Sequence, residues 1–354
     1  MIRPRNHLDD VIRIPIKERS RLNCYRLDRN ERNQPFSEEF INRIKSKITG
    51  ELFQVYPELD QIYEKIASWQ KIDIDQLLLN AGSDQAIKSV FETYINPGEK
   101  ILLHYPGYAM YAVYCKMFQA NIVNQSFDSE LNFDWNIFAE RITKDIRMVV
   151  IENPNGFLGI APSVNELNMM ISKASKLGVI VLVDEAYYHF NDVTVKECIE
   201  KYDNLIISRT FSKAFGFAGL RAGYLMSQSI NIDYVRRVLP AYEITSFTAL
   251  VLSEILDSLD EVKAYTNETR ENLNILRQGL LELGIPTSSS KANFLAVKLG
   301  EKRFHDELKK SLGEKNVLIR RPFREKNLQN WVRISTAPPK IQELLLRELR
   351  EILS

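Results

Sequence analysis

Ser208-Arg209-Thr210-Phe211-Ser212-Lys213-Ala214-Phe215-Gly216-Phe217-Ala218-Gly219-Leu220-Arg221-Ala222-Gly223-Tyr224 is the stretch whose reading decides the fold. It follows the apolar run Leu205–Ile207 and is dense in small and hydroxyl residues. One lysine stands among them, and an arginine follows eight positions later. A lysine amine attacks carbonyls well when burial or nearby positive charge lowers its pKa. The hydroxyls of Thr210 and Ser212, with the planar fork of Arg221, are donors of the kind a phosphate takes. An isolated lysine at a strand end would more simply be a surface residue.

Working outward, short runs rich in Val, Ile and Leu recur before and after this stretch: Leu77–Leu79, Ile101–Leu103, Met148–Ile151, Val179–Val183, Leu205–Ile207 and Tyr224–Met226. Each is too short for a helix and lacks strict alternation, as strands buried on both faces do. Stretches of helical period lie between most of them, such as Gln85–Tyr94 and Val164–Leu177. That alternation predicts βαβ units and a mostly parallel sheet, an α/β fold. From about Ser246 the pattern changes. A long helical stretch, Ser246–Leu283, ends at Gly284-Ile285-Pro286. Strand-like Phe294–Val297, a helix near Phe304–Leu312, the short runs Val317–Ile319 and Val332–Ile334, and a closing helix at Ile341–Ile352 follow. The expected organisation is a large domain over 36–245. A smaller α+β domain would be made of 246–354 together with 1–35.

Composition narrows the class. The chain has 354 residues, 45% hydrophobic and 26% charged, with a formal net charge of +1. That balance argues against a nucleic-acid partner or an acidic membrane surface. No run of about 18 apolar residues is present, so no membrane-spanning helix is expected. Cys24, Cys115 and Cys198 lie far apart, as do His7, His104, His189 and His305. Neither set has metal-ligand or disulfide spacing. A cytoplasmic location is the expectation.

The S-K-A-F-G-x-A-G-L-R-x-G-Y pattern closely resembles the cofactor-lysine motif of fold-type I pyridoxal-phosphate (PLP) enzymes of the aspartate-aminotransferase superfamily. The branch it is most similar to is that of the histidinol-phosphate aminotransferases, which also includes threonine-phosphate decarboxylases. The resemblance runs from Asn30 to Arg333 and implies a mostly parallel central sheet plus a smaller domain. It implies that Lys213 holds PLP as a Schiff base. Asp184 closes the run Val179–Val183, where α/β sheets place their ligands. From the residues alone it is either a cap for the next turn or a ligand group. By resemblance it is the carboxylate that keeps the pyridine nitrogen protonated, with Tyr187 at the phenolic oxygen. His189 lies outside the motif and reads as structural.

Asn80-Ala81-Gly82-Ser83-Asp84-Gln85 opens a helix, whose free N–H groups favour an anion. Ser83 or Asp84 is equally a plain N-cap. The resemblance makes Gly82, Ser83 and Asp84 the seat of the cofactor phosphate, and Tyr108 of Tyr105-Pro106-Gly107-Tyr108 the ring's stacking partner. It also aligns Asn30 with a substrate-site asparagine. Tyr56 of Tyr56-Pro57 aligns with a tyrosine that reaches the partner subunit's phosphate, which implies a homodimer with composite sites. Arg333 aligns with the substrate-carboxylate arginine, and Arg320 with an arginine of members that take phosphorylated substrates. Glu243 stands where histidinol-phosphate members carry asparagine.

One motif departs from the branch. Its members carry Asn-Pro-Asn-Asn-Pro-Thr-Gly after the central strand; here the stretch is Asn153-Pro154-Asn155-Gly156-Phe157-Leu158-Gly159. Gly156 takes the place of the asparagine that serves the phenolic oxygen. Either Asn155 swings in to replace it, or the contact is lost and Tyr187 alone remains. The implied activity is amino transfer on a small, phosphorylated substrate. Decarboxylation of a phosphorylated amino acid is the alternative, and a PLP-binding sensor domain is the least favoured reading.

Overall fold

The computed structural model describes residues 4–11 and 21–353. Of the expected 1–35 segment, residues 1–3 and 12–20 lie outside the described residues, as does Ser354. In chain order the strands are β1 (Tyr25–Arg26), β2 (Leu77–Asn80), β3 (Lys100–Tyr105), β4 (Asn121–Ser126), β5 (Ile146–Glu152), β6 (Ile180–Asp184), β7 (Leu205–Thr210), β8 (Gly223–Ser227), β9 (Phe294–Lys298), β10 (Val317–Leu318) and β11 (Trp331–Ser335).

Seven of them form one sheet in the order β2-β8-β7-β6-β5-β3-β4. From β7 to β4 every neighbouring pair is parallel. In this sheet β8 alone runs against its neighbours, β7 and β2. The fold class is therefore α/β with a mostly parallel central sheet.

Side-chain period explains why the central runs do not alternate. On β5 and β6, Val149, Ile151, Val181 and Val183 point into one apolar core, and Met148, Val150, Ile180 and Leu182 into another on the opposite face. Successive strand residues face opposite ways, so a strand covered on both sides must be apolar throughout. The parallel strands end in register: Glu152 of β5 pairs with Asp184 of β6, and Asp184 with Ser208 of β7. Three strand ends thus open on one edge of the sheet.

The second part of the chain has its own packing. β9 and β11 pair antiparallel, and β1 pairs with β10 in parallel. Leu27, just after β1, packs in an apolar cluster with Leu276, Leu280, Leu295, Val332 and Leu345. Residues Tyr25–Leu27 therefore join the C-terminal elements, with the Leu27 N–H donating to the Leu318 carbonyl and the Ser335 N–H to the Leu27 carbonyl.

The expected single helix Ser246–Leu283 is two helices, Ser246–Leu256 and Leu259–Glu282. The break falls at Asp257-Ser258, where Ser258 leaves the helical region (φ −130°, ψ 41°) and its hydroxyl accepts from Arg43. The turn lets both helices bury an apolar face. Leu252, Ile255 and Val262 pack in the core beneath the large sheet, while Leu273, Leu276 and Leu280 further along pack in the second cluster.

Candidate active site

A cavity of about 450 Å³ opens at the C-terminal ends of β5, β6 and β7, roofed by the Arg29–Glu31 segment and by β11. This is where an open α/β sheet places a ligand. Among its walls are Lys213, Asp184, Tyr187, Tyr108, Ser83, Asp84, Thr210, Ser212, Arg221, Asn30, Arg320 and Arg333. Gly82 is not itself a wall residue, but it adjoins one: a Cβ placed on it would lie 2.8 Å from Arg221 Nη2. Its φ of +86° also disfavours any side chain.

Lys213 is held by the turn after β7. Its Nζ donates to the carbonyls of Arg29 (3.0 Å) and Asn30 (3.4 Å). Burial, and then the positive charges of Arg333 and Arg221, lower its pKa to about 7. The amine is thus substantially neutral near pH 7, which is what a nucleophile toward a carbonyl needs. Asp184 is fully sequestered at the end of β6. Its carboxylate accepts from Tyr111 Oη (2.8 Å) and from the Ala186 N–H (3.1 Å). Burial raises its pKa to about 6, against the lowering effect of these bonds. A buried carboxylate of this kind is completed by a cationic partner.

At one end the cavity presents donors to an anion. The helix Ser83–Tyr94 begins there, capped by Gly82 with no side-chain bond at the cap, so its first N–H groups and positive dipole end are available. Gly223 allows the close approach: a Cβ there would sit 2.6 Å from Ser83 N and 2.7 Å from the Arg209 carbonyl. Arg221 adopts φ +52° to bring its guanidinium beside Gly82. Thr210 and Ser212 are buried next to it, with the Ser212 N–H donating to Thr210 Oγ1 (3.1 Å). The Asp84 carboxylate is turned to Tyr114 Oη (2.6 Å) and Tyr108 Oη (3.3 Å). The Tyr108 ring is 39% exposed and meets Tyr111 edge-on, leaving surface toward the cavity.

At the other end lie Asn30, Tyr187, Arg333 and Arg320. Asn30 Nδ2 donates to Tyr187 Oη (2.7 Å), and Ser335 Oγ donates to Asn30 Oδ1 (2.8 Å). Asn30 takes φ +58°, which asparagine tolerates better than most residues. Arg333 donates to the carbonyls of Gly156 (2.7 Å) and Asp28 (3.0 Å). Its Nε is buried without a hydrogen-bond partner. Burial, and then the charge of Arg320, lower the Arg333 pKa to about 10. Arg320 lies over the Phe157 ring, 5.4 Å from its centroid. Phe157, in the place of the branch's proline, packs on Phe323 and walls this end.

One expectation meets a different geometry. Asn155 does not swing toward the cavity. Its Nδ2 donates to the Pro106 carbonyl (2.8 Å) and pairs with His104 Nδ1, and its Oδ1 accepts from the N–H groups of Phe157 and Leu158. It is completely buried and clasps its own loop, so no polar atom remains for a ligand. Tyr56 lies outside this chain's cavity, 75% exposed and stacked on Tyr242 at 4.7 Å. Glu243 accepts from Tyr63 Oη (3.0 Å) and faces Arg236. His189 stacks on Trp69 in an aromatic cluster.

Two polar residues of the site were not singled out from sequence. Tyr111 is the donor to Asp184, 73 positions away. Glu152 closes the apolar run of β5 as Asp184 closes that of β6, and its carboxyl also faces the cavity. The signal for Glu152 was present in that parallel placement.

The residues fit PLP. A neutral lysine, an enclosed carboxylate and a helix-end anion seat with an arginine share one cavity. The Gly82 and Gly223 positions admit no Cβ, so the seat is shaped for a close-packed group. The sequence model of the aminotransferase class I and II family matches residues 23–349. The chain belongs to that family. It is a PLP-dependent aminotransferase. A histidinol-phosphate aminotransferase of Caldanaerobacter subterraneus is 30% identical to it over 335 residues, covering 93% of each chain. Among solved structures, a histidinol-phosphate aminotransferase from Sinorhizobium meliloti in complex with PLP superposes with a TM-score of 0.84 at 20% identity, over 93% of this aminotransferase and 90% of that chain. An L-threonine-O-3-phosphate decarboxylase from Porphyromonas gingivalis superposes with a TM-score of 0.79, also at 20% identity, over 93% and 99% respectively. At such identities these two establish the fold.

Proposed function

We propose that this aminotransferase moves an amino group between small substrates, one of which bears a phosphate, as histidinol phosphate does. When bound, PLP supplies the electron sink for charge developing at the substrate carbon. Lys213 anchors the cofactor and, once displaced, moves the proton at that carbon as base and then acid. Asp184 holds the ring nitrogen protonated, Tyr108 stacks on the ring, and Tyr187, oriented by Asn30, donates to the phenolic oxygen. Gly82, Ser83, Asp84, Thr210, Ser212 and Arg221 receive the cofactor phosphate through N–H, hydroxyl and guanidinium donors.

The observation that carries the substrate reading is the second cationic group. Arg333, with a buried Nε lacking a partner, and Arg320 stand in the same cavity as the Arg221 seat. One anion seat is used by the cofactor, so the second is free for an anionic substrate. We further read the chain as two domains, 36–245 and 246–354 with 1–35, the helix Ser246–Leu256 packing against the core of the larger one, and as a homodimer in which Tyr56 reaches the partner's site. The cysteines Cys24, Cys115 and Cys198 are unpaired, which suits a reducing cytoplasm.

Holoprotein mixed with L-glutamate should lose its visible cofactor band as the amine form of the cofactor appears, and histidinol phosphate should do the same. Lys213→Ala should show no band of the lysine-bound cofactor. Carbon dioxide release from phosphothreonine without conversion to the amine form would overturn transfer in favour of decarboxylation.

A further inference from the structure

The loop after β5 lacks a side chain at residue 156, and a carboxyl fills the space such a side chain would enter. A Cβ on Gly156 would lie 3.0 Å from Glu152 Oε2 and 3.6 Å from Tyr187 Cε2. Glu152 is held there firmly. Its Oε2 accepts from the Gly156 N–H (2.6 Å) and its Oε1 from the Tyr108 N–H (2.8 Å). The contact at Gly156 would be tight, and a Cβ on Gly107 would collide with Oε1, so two glycines make room for this carboxyl. Its own N–H donates to His104 Nε2 (3.0 Å). The carboxyl therefore connects the Tyr108 backbone to the 156 loop and borders the cavity beside Tyr187.

We propose that Glu152 acts as a neutral acid that replaces the missing side chain of residue 156, donating to the cofactor's phenolic oxygen alongside Tyr187. This rests on the assignment of the cavity to PLP. The surroundings favour the neutral acid. Glu152 is 3% exposed. Asp184 is its register partner on β6, and two buried carboxylates side by side do not both ionise readily. Burial first, then Asp184, raise the Glu152 pKa to about 8, while Arg333 and the two N–H donors oppose the rise. His104 cannot supply a compensating positive charge, since burial lowers its pKa to about 4. Tyr187 and Tyr111 face Glu152 as neutral phenols, both raised above the ordinary value by burial. A protonated carboxyl accepts one of these N–H groups on its carbonyl oxygen and the other on a hydroxyl lone pair, and keeps one O–H to give. Ketosteroid isomerase uses a carboxylic acid in the same way, kept neutral by an apolar site so that it can donate.

The sign of one spectroscopic shift tests this. The protonation midpoint of the lysine-bound cofactor is read from its visible absorption against pH, with cofactor affinity of the apoprotein measured alongside. Loss of a donor to the phenolic oxygen raises that midpoint, whereas loss of a nearby anion lowers it. Glu152→Ala should raise it by about one unit, and Glu152→Gln, which retains an N–H donor, should raise it less. Gly156→Asn in the Glu152→Ala background should bring the midpoint back toward the wild-type value, because the colliding carboxyl is gone. In the wild-type background the same Gly156→Asn change should weaken cofactor binding. An unchanged or lowered midpoint in Glu152→Ala, or a Gly156→Asn effect that is the same in both backgrounds, overturns the proposal. Absence of any lysine-bound cofactor band in the wild type would instead overturn the cofactor assignment. Thermal melting of each apoprotein identifies variants that fail to fold, and for those the Glu152→Gln midpoint decides.

Discussion

Lys213 owes its chemistry to position rather than to its own side chain. Burial strips water from its ammonium, and Arg333 and Arg221 add positive charge nearby, so its pKa falls from the ordinary 10.5 to about 7. A tenfold change in neutral fraction accompanies each unit, so the neutral amine at pH 7 rises from a few parts in ten thousand to about half. A measurable consequence follows for capture of PLP by the apoprotein. The rate should climb about tenfold per pH unit below pH 7 and level off above it. Arg333→Met should move that midpoint upward, because a charge that disfavours the ammonium is removed. A midpoint at about pH 9 or above in the wild type would refute the assignment of Lys213 as an activated amine. At this scale the sequence was legible where cavity residues sit in contiguous motifs, as Lys213, Arg221 and Asp184 do. It was illegible where function depends on folding distant residues together. The Tyr111 bond to Asp184 and the clasp of Asn155 on His104 and Pro106 are both contacts across the sheet edge.

Elements hold these residues only if their ends are fixed, and β6 and β7 are joined at their ends by a buried ion pair. Arg209 Nε and Nη2 donate to Glu185 Oε2 at 2.9 and 2.8 Å. Other donors of Arg209 go to Gln70 Oε1 and Thr194 Oγ1 (both 2.7 Å), and its guanidinium lies over the Tyr188 ring. Both side chains are almost wholly buried. Removing one partner leaves the other charged and unsolvated, which costs about 3–5 kcal/mol. Arg209→Met should therefore lower the stability read from urea unfolding of the apoprotein by that amount, and Arg209→Met with Glu185→Met should lower it less than the single change. A single variant as stable as wild type would mean the pair has no structural weight. The strands themselves were legible wherever both faces are covered, because apolar content then runs unbroken. β4 was not, since it is the outer strand and its residues Asn121, Ile122, Asn124 and Ser126 are exposed. The break between Leu256 and Leu259 was hidden for a different reason. Helical period persists through it, and the break shows only in the backbone of Ser258, which leaves the helical region.

At the scale of the whole molecule, the face around the short helix Glu51–Gln54 is apolar and exposed. That helix buries none of its residues. Phe53 and Tyr56 are each 75% exposed and Val55 55%, and Tyr56 lies flat on the half-exposed Tyr242. Contiguous exposed aromatics of this kind mark a surface that another protein covers. A second copy of the chain fits the resemblance that assigns Tyr56 to a partner's site, and a two-fold axis would complete two cavities at once. Light scattering should then give twice the chain mass. Phe53→Asp with Val55→Asp should give the single-chain mass, because two carboxylates would have to be buried unpaired. Tyr56→Phe separates assembly from chemistry: it keeps the aromatic surface and removes only the hydroxyl. The mass should stay doubled while cofactor affinity falls about tenfold to a hundredfold, the worth of one hydrogen bond to a charged group. A wild-type monomer that binds PLP fully would show that the cavity is complete within one chain. A dimer in which Tyr56→Phe leaves affinity unchanged would place the crossing residue elsewhere on this face.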